Sequence, residues 1–337
     1  MTPKPKRRRS QRPDLNTLLF RALRSLADGR FHSGEAVARE LGRSRATLST
    51  VMKHAPEFGV QVFSVPGRGY RLPEPIEFLD KAAVERELGA AKDRVALSLF
   101  DEIESTNSLL ADMAARGAAS GTCIAAEWQS AGRGRHGRPW LARLGGSLTF
   151  SMLWRFERGV AQLTGLSLAV ALAATRALAQ FGIPANVKWP NDLVIGYEKL
   201  GGILVEASGD MLGPSVAVIG IGVNWRLDDK TLGRIGQPAT DVLSHAAAVP
   251  SRNAVLGAML RELVAVLDEF EARGFAALRD AWREAHAYQG QRVRITTPAE
   301  PPYEADIVDI ADDGGLVVAD GARMVKLTSA EISLRPA

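Results

Sequence analysis

The chain has 337 residues, 46% of them hydrophobic, which excludes an intrinsically disordered protein and leaves room for two or three domains. Its formal net charge of +4 is unevenly distributed, because six basic residues precede the first acid, Asp14: Lys4, Lys6, Arg7, Arg8, Arg9 and Arg12. The single cysteine, Cys123, excludes an internal disulfide. Since neither a signal peptide nor a membrane-spanning tract is recognisable, the sequence predicts a cytoplasmic protein without a membrane partner.

Residues 14–73 have the pattern of three short helices and a hairpin. Apolar residues from Leu15 to Leu26 recur at helical spacing, and Ser33 and Ser44 precede the next two helices as N-caps. This order predicts a winged helix-turn-helix with a cationic wing tip, although any three-helix scaffold gives the same pattern. The candidate DNA contacts are Ser44, Arg45, Thr47, Ser49, Lys53 and Arg68. A disordered basic tail over 1–13 favours nucleic acid as the partner.

The rest of the chain predicts two further domains. Prolines mark a linker over 74–94, and residues 95–286 alternate strands with helices. The strands between 186 and 223 are joined by tight turns, which predicts an antiparallel meander. Short alternating strands over 287–337 predict a small closed barrel. The expected fold class is therefore α+β, with a central mixed or antiparallel sheet carrying helices.

The segment 129–140, Gln-Ser-Ala-Gly-Arg-Gly-Arg-His-Gly-Arg-Pro-Trp, combines glycines with arginines. Glycines let a backbone fold closely around a ligand, and guanidinium groups bind carboxylate or phosphate oxygens in pairs. The glycines satisfy G-x-G-x-x-G, but Pro139 and the Gly145-Gly146 pair leave no room for the crossover helix of a dinucleotide fold. We therefore expect a flexible cationic loop between two antiparallel strands that closes over an anionic ligand. The alternative is an exposed Arg/Gly linker.

Three further polar clusters are candidates for a site. Ser105-Thr106-Asn107 precedes a helix. Its hydroxyl and amide groups could cap that helix or form hydrogen bonds with a neutral polar ligand. Lys188-Trp-Pro-Asn-Asp192 follows a strand, with a Lys–Asp surface pair as the alternative. Lys199-Leu-Gly-Gly202 introduces an apolar strand, with a solvated lysine as the alternative. No catalytic triad, metal-ligand spacing or phosphate-binding P-loop accompanies them, which favours chemistry in which the substrate supplies the nucleophile and the protein neutralises charge.

In order and spacing these clusters resemble the motifs of the biotin–protein ligase family: S-T-N, Q-x-A-G-R-G-R-x-G-R-x-W, K-W-P-N-D and K-x-x-G-I-L-V-E. The resemblance covers residues 15–337. With the helix-turn-helix, the chain resembles the bifunctional form, a biotin operon repressor and ligase in one chain. The resemblance implies a biotin/lipoate ligase-like central domain, a C-terminal SH3-like barrel, and a homodimer that binds operator DNA.

The resemblance also implies a two-step reaction. The biotin carboxylate attacks the α-phosphate of ATP, with Mg²⁺, to give biotinyl-5′-AMP and pyrophosphate. A lysine of the biotin carboxyl carrier protein of acetyl-CoA carboxylase then attacks this mixed anhydride. Cations in a closed, dry site would stabilise the charge that develops on phosphorus.

Carried over to this sequence, the family motifs assign roles to individual residues. The biotin contacts are Ser105, Thr106, Asn107, Gln129, Arg133, Gly134, Arg135 and Lys199. The nucleotide contacts are Arg135, Arg138, Trp140, Lys188, Asn191 and Asn224. Lys199, Arg133, Asp192 and Lys188 are the catalytic candidates, and Asn191 and Asp192 the candidates for a weak Mg²⁺ site.

The sequence departs from the family pattern at two places. His136 stands where an arginine is common, and the helix after Ser44 is less basic than a strong major-groove reader requires. A ligase without repressor activity is therefore one alternative, and a lipoate–protein ligase or a purely ligand-sensing transcription factor are others. The arginine–glycine loop argues against the lipoate enzyme, and the lysine and Asn–Asp cluster against a pure sensor.

Overall fold

The computed structural model describes residues 12–296, 301–328 and 333–336. The chain divides into two compact units: unit 1 is Met1–Phe78 with Ala142–Gly145, and unit 2 is Leu79–Leu141 with Gly146–Ala337. The tail residues Lys4, Lys6 and Arg7 to Arg9 lie outside the described residues, and the finer domain boundaries expected from the sequence remain predictions.

In its described residues unit 1 contains three α-helices, α1 (Arg12–Ser25), α2 (Gly34–Glu40) and α3 (Arg45–Met52), and a hairpin of strands β1 (Phe63–Val65) and β2 (Gly69–Arg71). The predicted N-caps are confirmed, because Ser33 accepts a hydrogen bond from the Glu35 N–H at 3.3 Å and Ser44 one from the Thr47 N–H at 3.1 Å. Such caps satisfy N–H groups that have no partner inside the helix. Buried apolar side chains of all three helices fill the core of this unit.

A short segment from the middle of the chain completes unit 1. The Leu144 N–H donates to the Phe58 carbonyl at 2.9 Å, and Arg143 forms an ion pair with Glu74 at 2.6 Å. The segment directly follows the arginine–glycine loop of unit 2 in sequence. The chain therefore passes from one unit to the other three times rather than once.

Unit 2 is built on a seven-stranded mixed sheet in the order β3-β4-β5-β9-β8-β7-β6. Strands β3 and β4 are parallel, and all other neighbours are antiparallel, so the predicted meander over 186–223 is confirmed. The elements in chain order are α4 (Lys81–Leu88), β3 (Ala96–Ile103), α5 (Thr106–Ala115), β4 (Thr122–Gln129), β5 (Ser147–Phe156), α6 (Leu166–Ala179), β6 (Asn186–Lys188), β7 (Asp192–Ile195), β8 (Glu198–Gly209), β9 (Ser215–Asn224), α7 (Asp229–Leu232), α8 (Arg252–Arg273) and α9 (Arg279–Ala285).

Helices α6 and α8 pack together and form the core with the apolar face of the sheet. Almost every residue of α6 is buried, which explains why its sequence is apolar all round. Cys123 on β4 is also buried, and burial raises the pKa of its thiol, which is typical of a core thiol rather than a nucleophile. Within the described part of the chain no helix has the length and apolarity needed to cross a membrane.

Two element boundaries differ from the sequence-based prediction. The apolar pattern over 162–181 predicts a helix from Gln162, but α6 begins at Leu166, because Gly165 adopts a left-handed φ of 81° that a helix cannot continue through. The apolar run over 202–207 predicts a strand from Gly202, but β8 begins at Glu198, where its ladder with β7 pairs Lys199 with Val194. Lys199 therefore lies within a strand rather than in a turn.

The end of the chain forms a five-stranded antiparallel sheet, ordered β13-β12-β11-β10-β14. Its strands are β10 (Arg292–Thr296), β11 (Tyr303–Ile310), β12 (Leu316–Asp320), β13 (Arg323–Leu327) and β14 (Ser333–Pro336). Strict alternation of buried and exposed residues along β10 matches a sheet with one covered face. Closure into an SH3-like barrel remains a prediction.

Candidate active site

One cavity of about 420 Å³ in unit 2, a size suited to a small molecule, collects every ligase residue predicted from the sequence. Its lining includes Ser105, Thr106, Asn107, Gln129, Arg133, Gly134, Arg135, Arg138, Trp140, Lys188, Asn191, Asp192, Lys199 and Asn224. The residues come from five separate stretches of sequence, which the sheet brings together.

The floor of the cavity is a hydrogen-bonded polar network at the start of α5. Ser105 caps this helix by accepting from the Ser108 N–H at 3.4 Å, so its two predicted uses, capping and lining a site, occur together. The Thr106 N–H donates to Gln129 Oε1 at 2.8 Å, and Ser151 Oγ donates to Asn107 Oδ1 at 2.5 Å. Because buried polar groups fully engaged in this way are rigid, the floor can present fixed donors and acceptors to a neutral polar ligand.

Two glycines on β9 give the floor its shape. A Cβ atom at Gly220 would lie 2.2 Å from Asn107 Oδ1, and one at Gly222 would lie 2.8 Å from the Trp140 ring. The indole also donates from Nε1 to Ser147 Oγ at 3.1 Å. Sequence reasoning missed both glycines, although the alternation Gly-Ile-Gly puts them on one face of a strand, where close approach needs them.

The opposite wall carries positive charge. Lys199 Nζ lies 2.6 Å from Asp192 Oδ1, and both side chains are mostly buried, at 24% and 18% exposure. Lys188 faces Asp192 across the β6–β7 ladder, and its ammonium lies 5.8 Å from the ring centroid of Tyr288. This wall can neutralise an anionic group that enters the cavity.

The arginine–glycine segment lies between antiparallel strands β4 and β5, as predicted. It closes on itself, since the Gly134 N–H donates to the Arg138 carbonyl at 2.7 Å and the Trp140 N–H donates to the Gly132 carbonyl at 2.8 Å. His136 at its tip has a left-handed φ of 55°, which is uncommon for any residue but glycine.

Arg135 and Arg133 point to different partners. Arg135 donates to Asn191 Oδ1 at 3.1 Å, and burial, followed by the neighbouring Arg138, lowers its pKa against the opposing effect of Asp192. Arg133 instead forms an ion pair with Glu206 at 3.0 Å. Two contacts therefore hold the loop to the rest of unit 2, one on each side of the cavity.

A third wall, residues 234–239, was not predicted. The Lys199 N–H donates to the Pro238 carbonyl and the Thr240 N–H donates to the Lys199 carbonyl, each at 3.0 Å. Asn224 Nδ2 bridges the carbonyls of Lys199 and Thr240 at 3.2 and 3.0 Å. The amide nitrogen of Asn224 thus holds this wall beside Lys199, and its predicted nucleotide contact would have to use the oxygen. No motif at 234–239 signals this placement.

The predicted Mg²⁺ ligands do not fit a metal held by protein. The Asp192 carboxylate is engaged by Lys199, and the Asn191 oxygen by Arg135. Nor do three His, Cys, Asp or Glu side chains come together as a metal site anywhere in the described ranges. A Mg²⁺ site at Asn191 and Asp192 therefore remains a prediction.

The predicted DNA contacts lie in unit 1, around α3 and the hairpin. Ser44, Arg45, Lys53 and Arg68 are exposed, while Thr47 and Ser49 are half-buried. Thr47 also lies 2.9 Å from Ser44 through its hydroxyl, and the Arg68 guanidinium lies 4.1 Å from the Phe31 ring centroid. Three of the four exposed members, Arg45, Lys53 and Arg68, carry positive charge.

Comparison with known proteins gives consistent results. The sequence model of the biotin/lipoate A/B protein ligase family matches residues 99–224, and that of the biotin protein ligase C-terminal domain matches 288–335. The bifunctional ligase/repressor BirA of Escherichia coli is 34% identical over 96% of this chain and 98% of its own. The biotin–[acetyl-CoA-carboxylase] ligase of Mycobacterium tuberculosis is 31% identical over 78% of this chain and 97% of its own.

A solved structure shows the same fold. The biotin protein ligase of Aquifex aeolicus in complex with biotin and ATP superposes with a TM-score of 0.61 and 27% identity, covering 72% of this chain and 99% of that one. With relatives at this identity over nearly the whole chain, and with the four family motifs gathered around one cavity, the chain belongs to the biotin–protein ligase family.

Proposed function

We propose that this enzyme activates biotin with ATP and transfers it to a lysine of the biotin carboxyl carrier protein of acetyl-CoA carboxylase. The observation that carries the proposal is a cavity with a neutral polar floor on one side and a wall of lysine and arginine on the other. A ureido ring suits the floor and a carboxylate next to phosphates suits the wall. The relative and the solved structure that are named as biotin ligases support the choice of biotin over lipoate as substrate.

In the first step an oxygen of the biotin carboxylate attacks the α-phosphorus of ATP. A new O–P bond forms, the bond to the bridging oxygen breaks, and pyrophosphate leaves. Lys199 and Lys188 lie where they can offset the negative charge on the reacting phosphate, and Arg135 can bind a phosphate oxygen from the loop. Because the cavity is partly shielded from water, these charges act more strongly than they would in solution.

In the second step the neutral amine of an acceptor lysine attacks the acyl carbon and AMP leaves. The mixed anhydride must survive until the carrier protein arrives, so the loop over 132–140 has to exclude water from it. The contacts of Arg133 and Arg135 on opposite sides of the cavity are suited to that task.

The decisive measurement is ATP–pyrophosphate exchange with biotin and, separately, with lipoate. We expect exchange that depends on biotin and labelling of the carrier protein when it is added. Exchange that depends on lipoate instead, or no exchange with either acid, would refute the proposal.

We also propose that residues 14–73 form a winged helix-turn-helix and that a homodimer of the protein represses biotin synthesis genes. Capped helices α2 and α3, the hairpin and the exposed Arg45, Lys53 and Arg68 support DNA binding. The similarity to a ligase/repressor extends over this region, since it covers 96% of the chain. DNase footprinting upstream of biotin biosynthesis genes tests this function separately from ligation.

A further inference from the structure

Glu206 on β8 does not line the cavity, yet its carboxylate joins the two parts of the cavity that face biotin in the proposed function. Arg133 Nη2 donates to its two oxygens at 3.0 and 3.2 Å. Asn107 Nδ2 donates to Oε2 of the same carboxylate at 2.8 Å. One acidic group therefore holds both the first arginine of the loop and an amide of the floor.

The partners of Glu206 are themselves fixed. Asn107 is only 4% exposed, its oxygen accepts from Ser151 and its amide also reaches the Leu204 carbonyl at 3.4 Å. Arg133 uses a second nitrogen, Nη1, to donate to Ser108 Oγ at 2.8 Å. Arg133 is also paired with Pro139 across the loop, so a restraint on Arg133 restrains both strands of the loop.

We propose that Glu206 is a positioning residue for biotin: it anchors the loop through Arg133 and sets the amide orientation of Asn107, without touching the substrate. The proposal rests on the proposed function. It also assigns the Arg133 side chain to loop closure rather than to a phosphate, because two of its nitrogens already donate within the protein.

The buried donor Asn107 distinguishes this arrangement from an ordinary surface ion pair. The Arg133 and Glu206 side chains are 38% and 40% exposed, and a pair of that kind contributes little by itself. The bond from Asn107 is different, since the donor is buried and the acceptor is charged. Loss of the Glu206 charge should therefore disturb the floor of the cavity as well as the loop.

Glu206→Gln is the informative variant. A glutamine has one acceptor oxygen, and its NH₂ group cannot accept from either Arg133 or Asn107, so at least one contact is lost while size is kept. In pyrophosphate exchange we expect the KM for biotin to rise about tenfold, the size of one hydrogen bond to a charged group, with kcat and the KM for ATP within about threefold. The double variant Glu206→Gln/Arg133→Gln should lose less than the sum of the single losses, because the two residues act through one contact.

Trypsin gives a second readout that does not depend on activity. Arg133 and Arg135, neither of which is followed by proline, are cleavage sites in the loop, and a loop released from Glu206 should be cut several times faster in the ligand-free full-length protein.

Asp268→Asn is the matched control. Asp268 binds Arg94 through two hydrogen bonds at 2.9 and 3.1 Å, with both side chains half exposed, and it contributes nothing to the cavity lining. A Glu206→Gln enzyme that matches this control in either the KM for biotin or the cleavage rate overturns the proposal. If the wild-type enzyme shows no biotin-dependent exchange, the proposed function has failed instead, and the cleavage comparison alone decides whether Glu206 anchors the loop.

Discussion

At the scale of single residues, an ion pair and backbone hydrogen bonds fix the position of Lys199 in the cavity wall. Lys199 is kept in place by Asp192 at 2.6 Å, and its backbone N–H and carbonyl both bond to the segment Pro238–Thr240. A lysine chain that is already ordered loses little conformational entropy when a phosphate arrives. The same pairing balances charge while the cavity contains no anion.

Lys199→Ala is expected to abolish adenylate formation and to leave the fold intact. The change removes a cation from a shielded site and leaves Asp192 to repel the phosphates, so pyrophosphate exchange should fall by about a thousandfold or more. Lys230→Ala, at an exposed lysine of α7, is the control and should retain full exchange. Near-normal exchange by Lys199→Ala would remove Lys199 from the mechanism.

Arg135→Gly is expected to separate the two steps. The change removes the bond to Asn191 and adds backbone freedom, so the loop should open while Lys199 and Lys188 still support the first step. Biotinyl-5′-AMP should then escape and label lysines of bystander proteins, as measured by avidin blotting of added serum albumin. Background labelling by a variant that still makes adenylate would show that Arg135 does not hold the loop closed.

The sequence identified most lining side chains because four ordered motifs carry them, but it could not show their partners. Asp192 could be assigned to either Lys188 or Lys199 until the β7–β8 ladder placed Lys199 beside it. Glu206 stood within a recognised motif without a role, since Arg133 is 73 positions away in the chain. Contacts between residues so distant in sequence depend on strand register, which periodicity alone does not fix.

At the scale of elements, the end of α9 joins the catalytic sheet to the C-terminal sheet through His286. Its ring stacks on Trp282 at 4.6 Å between centroids and lies 6.2 Å from Tyr288. His286 also forms an isolated bridge with Val187, next to Lys188 of the cavity. Burial lowers its pKa to about 4, against the smaller, raising effect of the neighbouring Gln289 side chain.

This burial predicts a loss of stability in mild acid. The unfolded chain protonates His286 near its ordinary pKa of about 6.5, whereas the folded protein does not do so until about pH 4. As the pH falls through that window the unfolded state alone gains a proton, so up to about 3 kcal/mol of unfolding free energy should be lost.

Urea unfolding of wild-type protein and His286→Phe measures this contribution. Phenylalanine can keep the stacking on Trp282 but cannot be protonated, so the variant should lose less stability than wild type between pH 7.5 and 4.5. Parallel losses in the two proteins would show that His286 does not carry the acid sensitivity.

Long elements with a clear period were predictable: the apolar period over 252–273 predicts a helix, and α8 spans those residues. Strand β14 was missed because four residues ending in proline give too short a pattern to distinguish from a tail. The start of α6 was misplaced because its apolar pattern runs through Gly165, whose backbone conformation the pattern does not report.

At the scale of the whole molecule, chain connectivity relates the loop to the DNA-binding candidate. After Leu141 the chain enters unit 1 for Ala142–Gly145 and returns to β5 at Ser147. The loop over the cavity is thus followed directly by residues that bond to Phe58 and Glu74 of unit 1. The sequence did not indicate that Ala142–Gly145 belongs to unit 1, because a segment of four residues is too short to show hydrophobic periodicity.

The proposed repressor should bind DNA as a homodimer, and more tightly when biotin and ATP are present. A single small helix-turn-helix covers too few base pairs for strong specificity, so two half-sites and a two-fold protein are expected. A ligand can strengthen such binding only through contacts that differ between the free and bound states, and ordering of the loop at 132–140 is the change available for that.

Footprinting upstream of biotin biosynthesis genes at moderate salt, with and without biotin and ATP, measures this dependence. Arg45→Ala and Lys53→Ala should each weaken protection without changing pyrophosphate exchange, whereas Lys81→Ala, an exposed lysine of unit 2, should change neither.

Removing residues 1–12 takes away six positive charges and should reduce the salt dependence of binding by a few units of slope. Because phosphate contacts and dimerisation contribute separately, a truncated protein that still responds to biotin would place the response in the folded units. Protection absent with and without ligand, from a protein that ligates normally, would mean that residues 14–73 do not act as a repressor of these genes.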